Sequence, residues 1–201
     1  MQRDNVSFKV VKNNSFLKKI VVTCTKYTNG ISVFNELKEN FKKTDKILNL
    51  GCGTCLFDEH AILQGCNVTS IDIYDGSLSD SVTPIVYEGK KIPLKNKDSD
   101  VTLILSVLHH LNHQNELLTE AKRVSKKIII QEDLVSSKMG IKLYSIVDNL
   151  LNLEISTQKN NYHSFNEWKN IFKRNGLNLQ SVKMKKGYFF INQAIFVLET
   201  S

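Results

Sequence analysis

A short glycine-rich passage is the first feature of this sequence whose residue types could bind a ligand. It runs Asn49-Leu50-Gly51-Cys52-Gly53-Thr54 and follows the apolar run Lys46–Leu50, which predicts a buried strand. Glycines permit close approach of the backbone to a ligand, and the start of the following helix offers free amide donors to a negative group such as a carboxylate. Asp72 ends a second predicted strand about 20 residues later, where an acid can accept hydrogen bonds from ribose hydroxyls. Two classes of nucleoside-containing cofactor are bound in this way.

The dinucleotide fingerprint G-x-G-x-x-G is one of these classes. It needs a third glycine where this chain has Leu56, and the pyrophosphate needs the helix to come very close. The match to a nicotinamide or flavin site is therefore poor. A strand-to-helix turn without a ligand is the remaining alternative for the loop.

Cys52 and Cys55 form a C-x-x-C inside the same loop, a spacing typical of redox pairs and of half a zinc site. The chain has no second C-x-x-C, and the loop already has another explanation. His109 and His113 stand four residues apart but lack acidic or thiol ligands nearby. We therefore expect no metal, and we expect the cysteines to be reduced thiols.

Histidine and acidic side chains follow two later predicted strands, where they could take part in catalysis. His109 and His110 come after the fourth strand; each could act as a general base or could shape the turn. Glu132 and Asp133 come directly after the fifth strand. These acids could orient a substrate amine or hydroxyl, act as a base, or cap a solvated helix. The four residues are the catalytic candidates.

The elements that must position these residues alternate between strand and helix. The predicted strands are Lys46–Leu50, Asn67–Ile71, Pro84–Tyr87, Val101–Val107 and Ile128–Gln131. The predicted helices are Ile31–Lys43, Phe57–Gln64, one capped by Asn112 that runs to Val124, Ile141–Leu153, and one that starts at the capping box Ser164–Glu167 and stops at Gly176. Such alternation predicts a parallel sheet with helices on both faces.

The last two strand-like runs, Leu179–Met184 and Tyr188–Leu198, break that alternation. Only three residues join them, whereas parallel neighbours need a crossover of about a dozen residues. They must therefore pair as an antiparallel hairpin. The expected fold is α/β: a Rossmann-like, doubly wound, mostly parallel seven-stranded sheet with a C-terminal antiparallel hairpin.

Several passages in order carry a family resemblance. They are Ile47-Leu-Asn-Leu-Gly-Cys-Gly-Thr54, Ile71-Asp72-Ile73, Tyr87-Glu-Gly-Lys-Lys-Ile-Pro-Leu94, Asp98–Leu111 and Glu120–Val124. On these passages the chain resembles the class I S-adenosylmethionine-dependent methyltransferases of the type 11 kind, strongly over residues 45–135 and in pattern only in the last third. The resemblance implies S-adenosyl-L-methionine as cofactor and transfer of its methyl group.

The resemblance also implies a set of cofactor-binding residues. They are Asn49, Gly51, Cys52, Gly53 and Thr54 in the loop, Asp72 and Ile73 at ribose and adenine, Glu88 and Gly89 at the adenine amino group, and Ser106 and Val107 on the other side. Three residues depart from the family's pattern: Asn49 and Glu88 each replace a common Asp, and Cys55 replaces the usual last glycine of the loop. These departures leave open a catalytically lapsed subunit that keeps the fold for binding.

The net charge is +7, and lysines supply nearly all of the excess positive charge. Such an excess is compatible either with a nucleic-acid partner or with a composition that is simply rich in Lys, Asn and Ile. The lysines fall in scattered pairs, which favours the compositional interpretation. We expect a small-molecule acceptor, with an RNA or cap methyltransferase as the alternative. No apolar run approaches the roughly 18 residues of a membrane helix, and the N-terminus lacks the apolar stretch of a secretory signal. We therefore expect a cytoplasmic protein with no membrane partner.

A single domain is expected over 1–201. It divides into an N-terminal helical cover (1–44), a cofactor-binding half (45–133), a substrate-covering insertion (134–178) and the closing hairpin (179–201). The insertion contains polar and aromatic side chains that could face a substrate, namely Tyr144, Asn149, Asn161, Tyr162 and His163.

Overall fold

The computed structural model describes residues 6–135, 161–186 and 192–200. Within them, seven strands form one sheet in the order β3-β2-β1-β4-β5-β7-β6. The strands are β1 (Lys46–Leu50), β2 (Asn67–Asp72), β3 (Ile85–Val86), β4 (Ser99–Leu105), β5 (Ser125–Leu134), β6 (Leu177–Lys186) and β7 (Asn192–Thr200). The first five run parallel, and β7 is antiparallel to both β5 and β6. The predicted α/β sheet with its closing hairpin is confirmed.

Helices cover the sheet and precede it. They are α1 (Val6–Asn13), α2 (Ser15–Thr25), a π-helical turn (Lys26–Ser32), α3 (Val33–Leu37), α4 (Leu56–Leu63), α5 (Gln114–Val124) and α6 (Phe165–Arg174), with short 3-10 turns at Lys38–Asn40 and Leu108–His110. No helix in these described stretches is long and apolar enough to cross a lipid bilayer. The predicted helix Ile141–Leu153 lies outside the described residues.

Two apolar clusters pack on opposite faces of the sheet, because successive side chains of a strand point to opposite faces. Leu48 joins the cluster that includes Trp168 and Phe172 of α6. Its neighbour Ile47 joins the cluster that includes Phe34 of α3 and Phe57 of α4. The core therefore holds the parallel strands from both sides and fixes where their carboxyl ends lie.

The predicted helix over Ile31–Lys43 is shorter and less regular than expected. Its apolar residues Phe34, Leu37 and Phe41 are buried, as the spacing predicts. The chain before it forms the π-helical turn instead, which brings Gly30 so close to α4 that a Cβ there would lie 2.9 Å from the carbonyl oxygen of Leu56. This close packing fixes the turn against the helix that follows the glycine loop.

Several other element ends also differ from the sequence prediction, most of them by one to three residues. His113, rather than Asn112, occupies the N-cap position of α5, and Asn112 instead accepts a hydrogen bond from the Asn161 side chain at 3.2 Å. β4 ends at Leu105, before Ser106, whose φ of 56° is not a strand conformation. β5 continues through Leu134, because β7 pairs with it as far as that residue.

Candidate functional site

The glycine loop joins β1 to α4 at the carboxyl edge of the sheet. The Gly51 amide donates to the carbonyl of Ile71 at 2.8 Å, which ties the loop to the end of β2. Gly51 has a φ of 80°, and a Cβ there would lie 2.6 Å from Cγ2 of Val107. The loop therefore packs directly on the residues that follow β4, so Gly51 and Val107, predicted at two sides of one site, do lie together.

Asp72 is held against the same loop. One carboxylate oxygen accepts from the Gly53 amide at 2.8 Å, and the other accepts from the Ile73 amide at 2.6 Å. Burial raises the pKa of Asp72, and these backbone hydrogen bonds oppose that rise. A Cβ at Gly53 would meet no heavy atom within 4 Å, so the loop faces open space beside this carboxylate.

The other residues predicted to bind the cofactor lie around this point. Ile73 is 37% exposed, and a Cβ on Gly89 would lie 3.2 Å from its Cγ2. Glu88 is exposed next to Gly89. Ser106 is half-buried, and its amide donates to the carbonyl of Gln131 at 2.8 Å. The loop after β1, the end of β2 and the turns after β3 and β4 therefore share one edge of the sheet.

Asn49 is also at this edge, but its side chain turns inward. It is 2% exposed, and its amide nitrogen donates to both carboxylate oxygens of Asp58, at 2.9 and 3.1 Å. Asp58 is fully buried in the first turn of α4, and burial raises its pKa to about 7. Asp58 was missed in the sequence. Its signal was an acid in the first turn of a helix, which normally indicates only a favourable position near the helix dipole.

Asp58 also closes a group of three buried side chains. The ligand atoms of Cys52, Cys55 and Asp58 all lie within 4.8 Å of one another, and the two sulfur atoms are 3.5 Å apart. The pKa of Cys52 is raised by its hydrogen bond with Cys55, by burial and by the charges of Asp58 and Asp72. These three residues could hold a metal, although the sequence alone led us to expect none.

Among the catalytic candidates, His109 and Glu132 form a buried pair. His109 Nδ1 lies 2.6 Å from Glu132 Oε2, and both side chains are inaccessible to solvent. The other oxygen of Glu132 accepts from the Leu108 amide at 2.7 Å. His110 is half-buried, with its ring centroid 4.0 Å from that of His109. The pair therefore anchors the turn after β4 to β5, and His110 is the more accessible histidine.

The prediction that Glu132 and Asp133 follow the fifth strand is wrong. Both lie within β5, paired with Ala194 and Gln193 of β7, and both are buried. Asp133 accepts a hydrogen bond from the Gln193 side chain at 2.8 Å. The polar sequence suggested a loop, but the strand continues because β7 and these side-chain partners satisfy its polar groups.

The chain after the undescribed stretch 136–160 returns to the turn that follows β4. The Asn161 amide donates to the carbonyl of His109 at 2.6 Å, and the ring of Tyr162 stacks on that of His109 at 4.7 Å. His163 Nε2 lies 3.1 Å from the Gln114 side-chain oxygen. Of the predicted substrate-facing residues, Tyr144 and Asn149 lie outside the described residues.

The helices before β1 reach the loop that follows β2. Lys12 of α1 pairs with Asp75 at 2.6 Å, and Lys18 of α2 pairs with Asp80 at 2.6 Å. Asp75 is three residues beyond Asp72. The N-terminal helices are therefore tethered beside the same edge of the sheet.

Comparison with known proteins identifies the fold. Residues 48–128 match the family model described as a methyltransferase domain. No curated protein matches the sequence. A chain from the complex between the Haloferax volcanii Trm112 methyltransferase activator and a methyltransferase is similar in structure, with 11% identity, a TM-score of 0.68, and coverage of 96% of this chain and 97% of that chain.

Two enzymes with named substrates have similar structures. Geranyl diphosphate C-methyltransferase from Streptomyces coelicolor A3(2), solved with Mg²⁺, geranyl diphosphate and S-adenosyl-L-homocysteine, is 11% identical, with coverage of 94% of this chain and 85% of that chain and a TM-score of 0.67. Magnesium protoporphyrin IX methyltransferase from Synechocystis, solved with bound S-adenosyl-L-homocysteine, is 16% identical, with coverage of 94% and 88% and a TM-score of 0.61. At these identities the likeness shows the fold alone, and the family match shows a methyltransferase domain over residues 48–128.

Proposed function

We propose that this chain binds S-adenosyl-L-methionine along the glycine loop and transfers its methyl group to a small-molecule acceptor. The observation that carries the proposal is the buried Asp72 carboxylate, held 2.8 Å from the Gly53 amide where the loop faces open space. In that position Asp72 would accept hydrogen bonds from ribose hydroxyls, and Ile73 would pack on the adenine. The cofactor would supply a methyl group bound to a good leaving group.

The residues of this chain would then serve mainly to align the acceptor and exclude water, because in-line transfer gains most from orientation. Ile73 and Val107 offer apolar surface on two sides of the loop. Any proton lost by the acceptor would need a base within reach. We propose His110 for that role, since His109 and Glu132 are both inaccessible.

The placement of the lysines supports a small acceptor over RNA. Lys12 and Lys18 pair with Asp75 and Asp80 beside the site, so part of the positive charge there is neutralised. On the opposite edge of the sheet, Lys126 pairs with Asp100 at 2.7 Å. Nucleic-acid binding depends on lysines and arginines that are available to phosphates.

Calorimetric titration of the purified chain with S-adenosyl-L-methionine and S-adenosyl-L-homocysteine tests the cofactor half of the proposal. We expect saturable binding to the wild type and at least about tenfold weaker binding to Asp72→Ala, which loses a charge-assisted hydrogen bond. Glu116→Gln, on the exposed surface of α5, is the matched control and should bind like the wild type. The proposal fails if millimolar cofactor gives no binding heat with the wild type.

A labelled-methyl assay tests the acceptor half. The chain is incubated with methyl-labelled cofactor and, separately, with a small-molecule cell extract, with total RNA, or alone. Label in a small-molecule product supports the proposal. Label in RNA alone would make the chain an RNA methyltransferase, and cofactor binding without label in any arm would make it a non-catalytic binding subunit.

A further inference from the structure

The glycine loop contains a compact group of side-chain donor atoms to which the proposed methyl transfer assigns no role. Cys52 and Cys55 place their sulfur atoms 3.5 Å apart, and the carboxylate of Asp58 completes a set within 4.8 Å. Cys55 and Asp58 are fully buried, and Cys52 is 9% exposed. All three belong to one short segment, the loop and the first turn of α4. They can therefore hold one ion without a ligand from another element.

The backbone at Cys55 has a conformation that would suit glycine better than cysteine. Cys55 is the N-cap residue of α4 in the left-handed conformation, with φ 58° and ψ 14°. A residue with a Cβ is strained in this conformation, and glycine would avoid that strain. Cysteine offers no side-chain hydrogen bond to the α4 amides in return. The thiol beside Cys52 is the feature that glycine could not supply.

Asn49 orients the third donor. Its amide nitrogen donates to Asp58 while its own oxygen is buried and has no hydrogen-bond partner among the described residues. An aspartate at position 49 would set two carboxylates against each other, whereas the amide fixes the Asp58 carboxylate. Metal-binding carboxylates are commonly held by such an outer hydrogen bond.

The charges around the thiols favour a cation. Two carboxylates lie beside the thiols: Asp58, whose oxygen is within 4.8 Å of both sulfur atoms, and Asp72, which accepts from the amide of Gly53, the residue after Cys52. A buried group of this kind is stabilised when a positive ion compensates it, because unpaired buried charge is unfavourable. Thiolate ligands select zinc and other soft ions over Mg²⁺ or Ca²⁺, which prefer oxygen.

We propose that Cys52, Cys55 and Asp58 bind one Zn²⁺ ion. Each thiol gives its proton to solvent as its sulfur bonds the metal, Asp58 supplies one oxygen, and no atom changes oxidation state. Zn–S bonds of about 2.3 Å in a tetrahedron put two sulfurs about 3.8 Å apart, close to the 3.5 Å found here. A disulfide would instead need about 2.05 Å and an oxidant. With three protein ligands, water would take the fourth position.

The ion would join the start of the cofactor loop to α4. Cys52 and Cys55 flank Gly53, whose amide meets Asp72. Zinc would therefore hold the shape of the loop whether or not the chain transfers methyl groups. The proposal is independent of the proposed function.

Zinc titration of the full chain, purified with reductant and stripped of metal, tests the site. We expect one Zn²⁺ per chain by calorimetry with zinc alone and by elemental analysis, and a thiolate-to-metal absorption band when Co²⁺ replaces zinc. Cys55→Gly should lose at least roughly 100-fold in zinc affinity and still fold, since glycine suits this backbone. Asp58→Asn should lose roughly tenfold. Cys24→Ser, at an exposed cysteine, is the matched control and should bind like the wild type.

Circular dichroism confirms that each variant is folded before its titration is interpreted. The proposal is overturned if the folded wild type binds no zinc, or if Cys55→Gly binds it as tightly as the wild type. It is also overturned if protein purified without reductant has the mass of a Cys52–Cys55 disulfide and takes up zinc in neither redox state. Because the cofactor titration is a separate measurement, either proposal can fail without the other.

Discussion

Asp72 owes its position to two main-chain amides rather than to a charged partner. Gly53 and Ile73 donate to its two oxygens, and burial raises its pKa against that stabilisation. A carboxylate arranged in this way is ready to accept further hydrogen bonds as long as it is ionised. Its protonation state should therefore control cofactor affinity.

Cofactor affinity should fall as the pH is lowered below neutral, because the raised pKa of Asp72 brings its protonation nearer to neutral pH. Protonation removes an acceptor from the site. Asp72→Asn should bind more weakly at neutral pH and should show little of this pH dependence. Calorimetry across the pH range measures both effects. An equally steep decline in the variant would assign the titration to another group.

Gly51→Ala and Gly53→Ala form a matched pair of loop variants. Gly51→Ala should lower the free energy of unfolding by about 2 kcal/mol or more, because its Cβ would overlap Val107 at a φ of 80°. Gly53→Ala should cost only about 1 kcal/mol, since its Cβ meets open space and only the left-handed backbone opposes it. Urea unfolding gives both values. Equal losses would contradict the contact with Val107.

At the scale of elements, the buried pair His109–Glu132 joins the turn after β4 to β5. Glu132 accepts from both His109 and the Leu108 amide, so its side chain replaces main-chain partners that the turn lacks. The local sequence does not predict this pairing, because it connects residues that lie more than twenty positions apart and meet only through the sheet.

Glu132→Ala should lower the free energy of unfolding by roughly 3 kcal/mol, because it leaves buried polar groups unsatisfied. Glu132→Gln keeps an acceptor for the Leu108 amide and should lose less. Urea denaturation followed by tryptophan fluorescence suits the comparison, since the protein has a single tryptophan. If alanine and glutamine variants were equally stable, the hydrogen bonds of Glu132 would contribute nothing.

The capping box at the start of α6 should also contribute to the free energy of unfolding. Ser164 accepts from the Glu167 amide, and the Glu167 carboxylate accepts from the Ser164 amide at 2.7 Å, which lowers the pKa of Glu167. Ser164→Ala should lower the free energy of unfolding by about 1 kcal/mol, measured by thermal or urea unfolding.

The stabilisation contributed by Glu167 is present above its unfolded pKa near 4.5 and is lost as the pH falls through the lowered pKa of the folded state. In Glu167→Gln the free energy of unfolding should therefore depend less on pH in the acid range. An unchanged dependence of the free energy of unfolding on acid pH would contradict this.

For the whole molecule, the sequence predicted the sheet well because hydrophobic periodicity and turn residues act locally. β1 has the predicted bounds, and β2 includes the terminal Asp72 as expected. What could not be predicted depends on contacts between distant segments. Asp58 is buried because α4 packs on the sheet. β5 continues beyond its run of apolar residues because β7 pairs with it.

The N-terminal helices are tethered to the rest of the molecule by exposed ion pairs. Such pairs contribute roughly 1 kcal/mol or less, so Asp75→Asn with Asp80→Asn should hardly change global stability. The same variant should be cleaved faster by trypsin within residues 6–25, because local opening becomes easier. Mass spectrometry of the fragments measures the rate, and saturating salt should make the wild type behave similarly. Unchanged cleavage would show that other contacts hold these helices.

The strand order also sets a sequence of events during synthesis. β7 is made after β6 yet lies between β5 and β6, so β6 has no place in the sheet until β7 has left the ribosome. Until then β5 presents an unpaired edge that includes Ile128, Ile129 and Ile130, which β7 later covers. The nascent chain should therefore depend on chaperones until β7 emerges, and mutations in β7 should reduce the yield of soluble protein more than equally buried changes in β2.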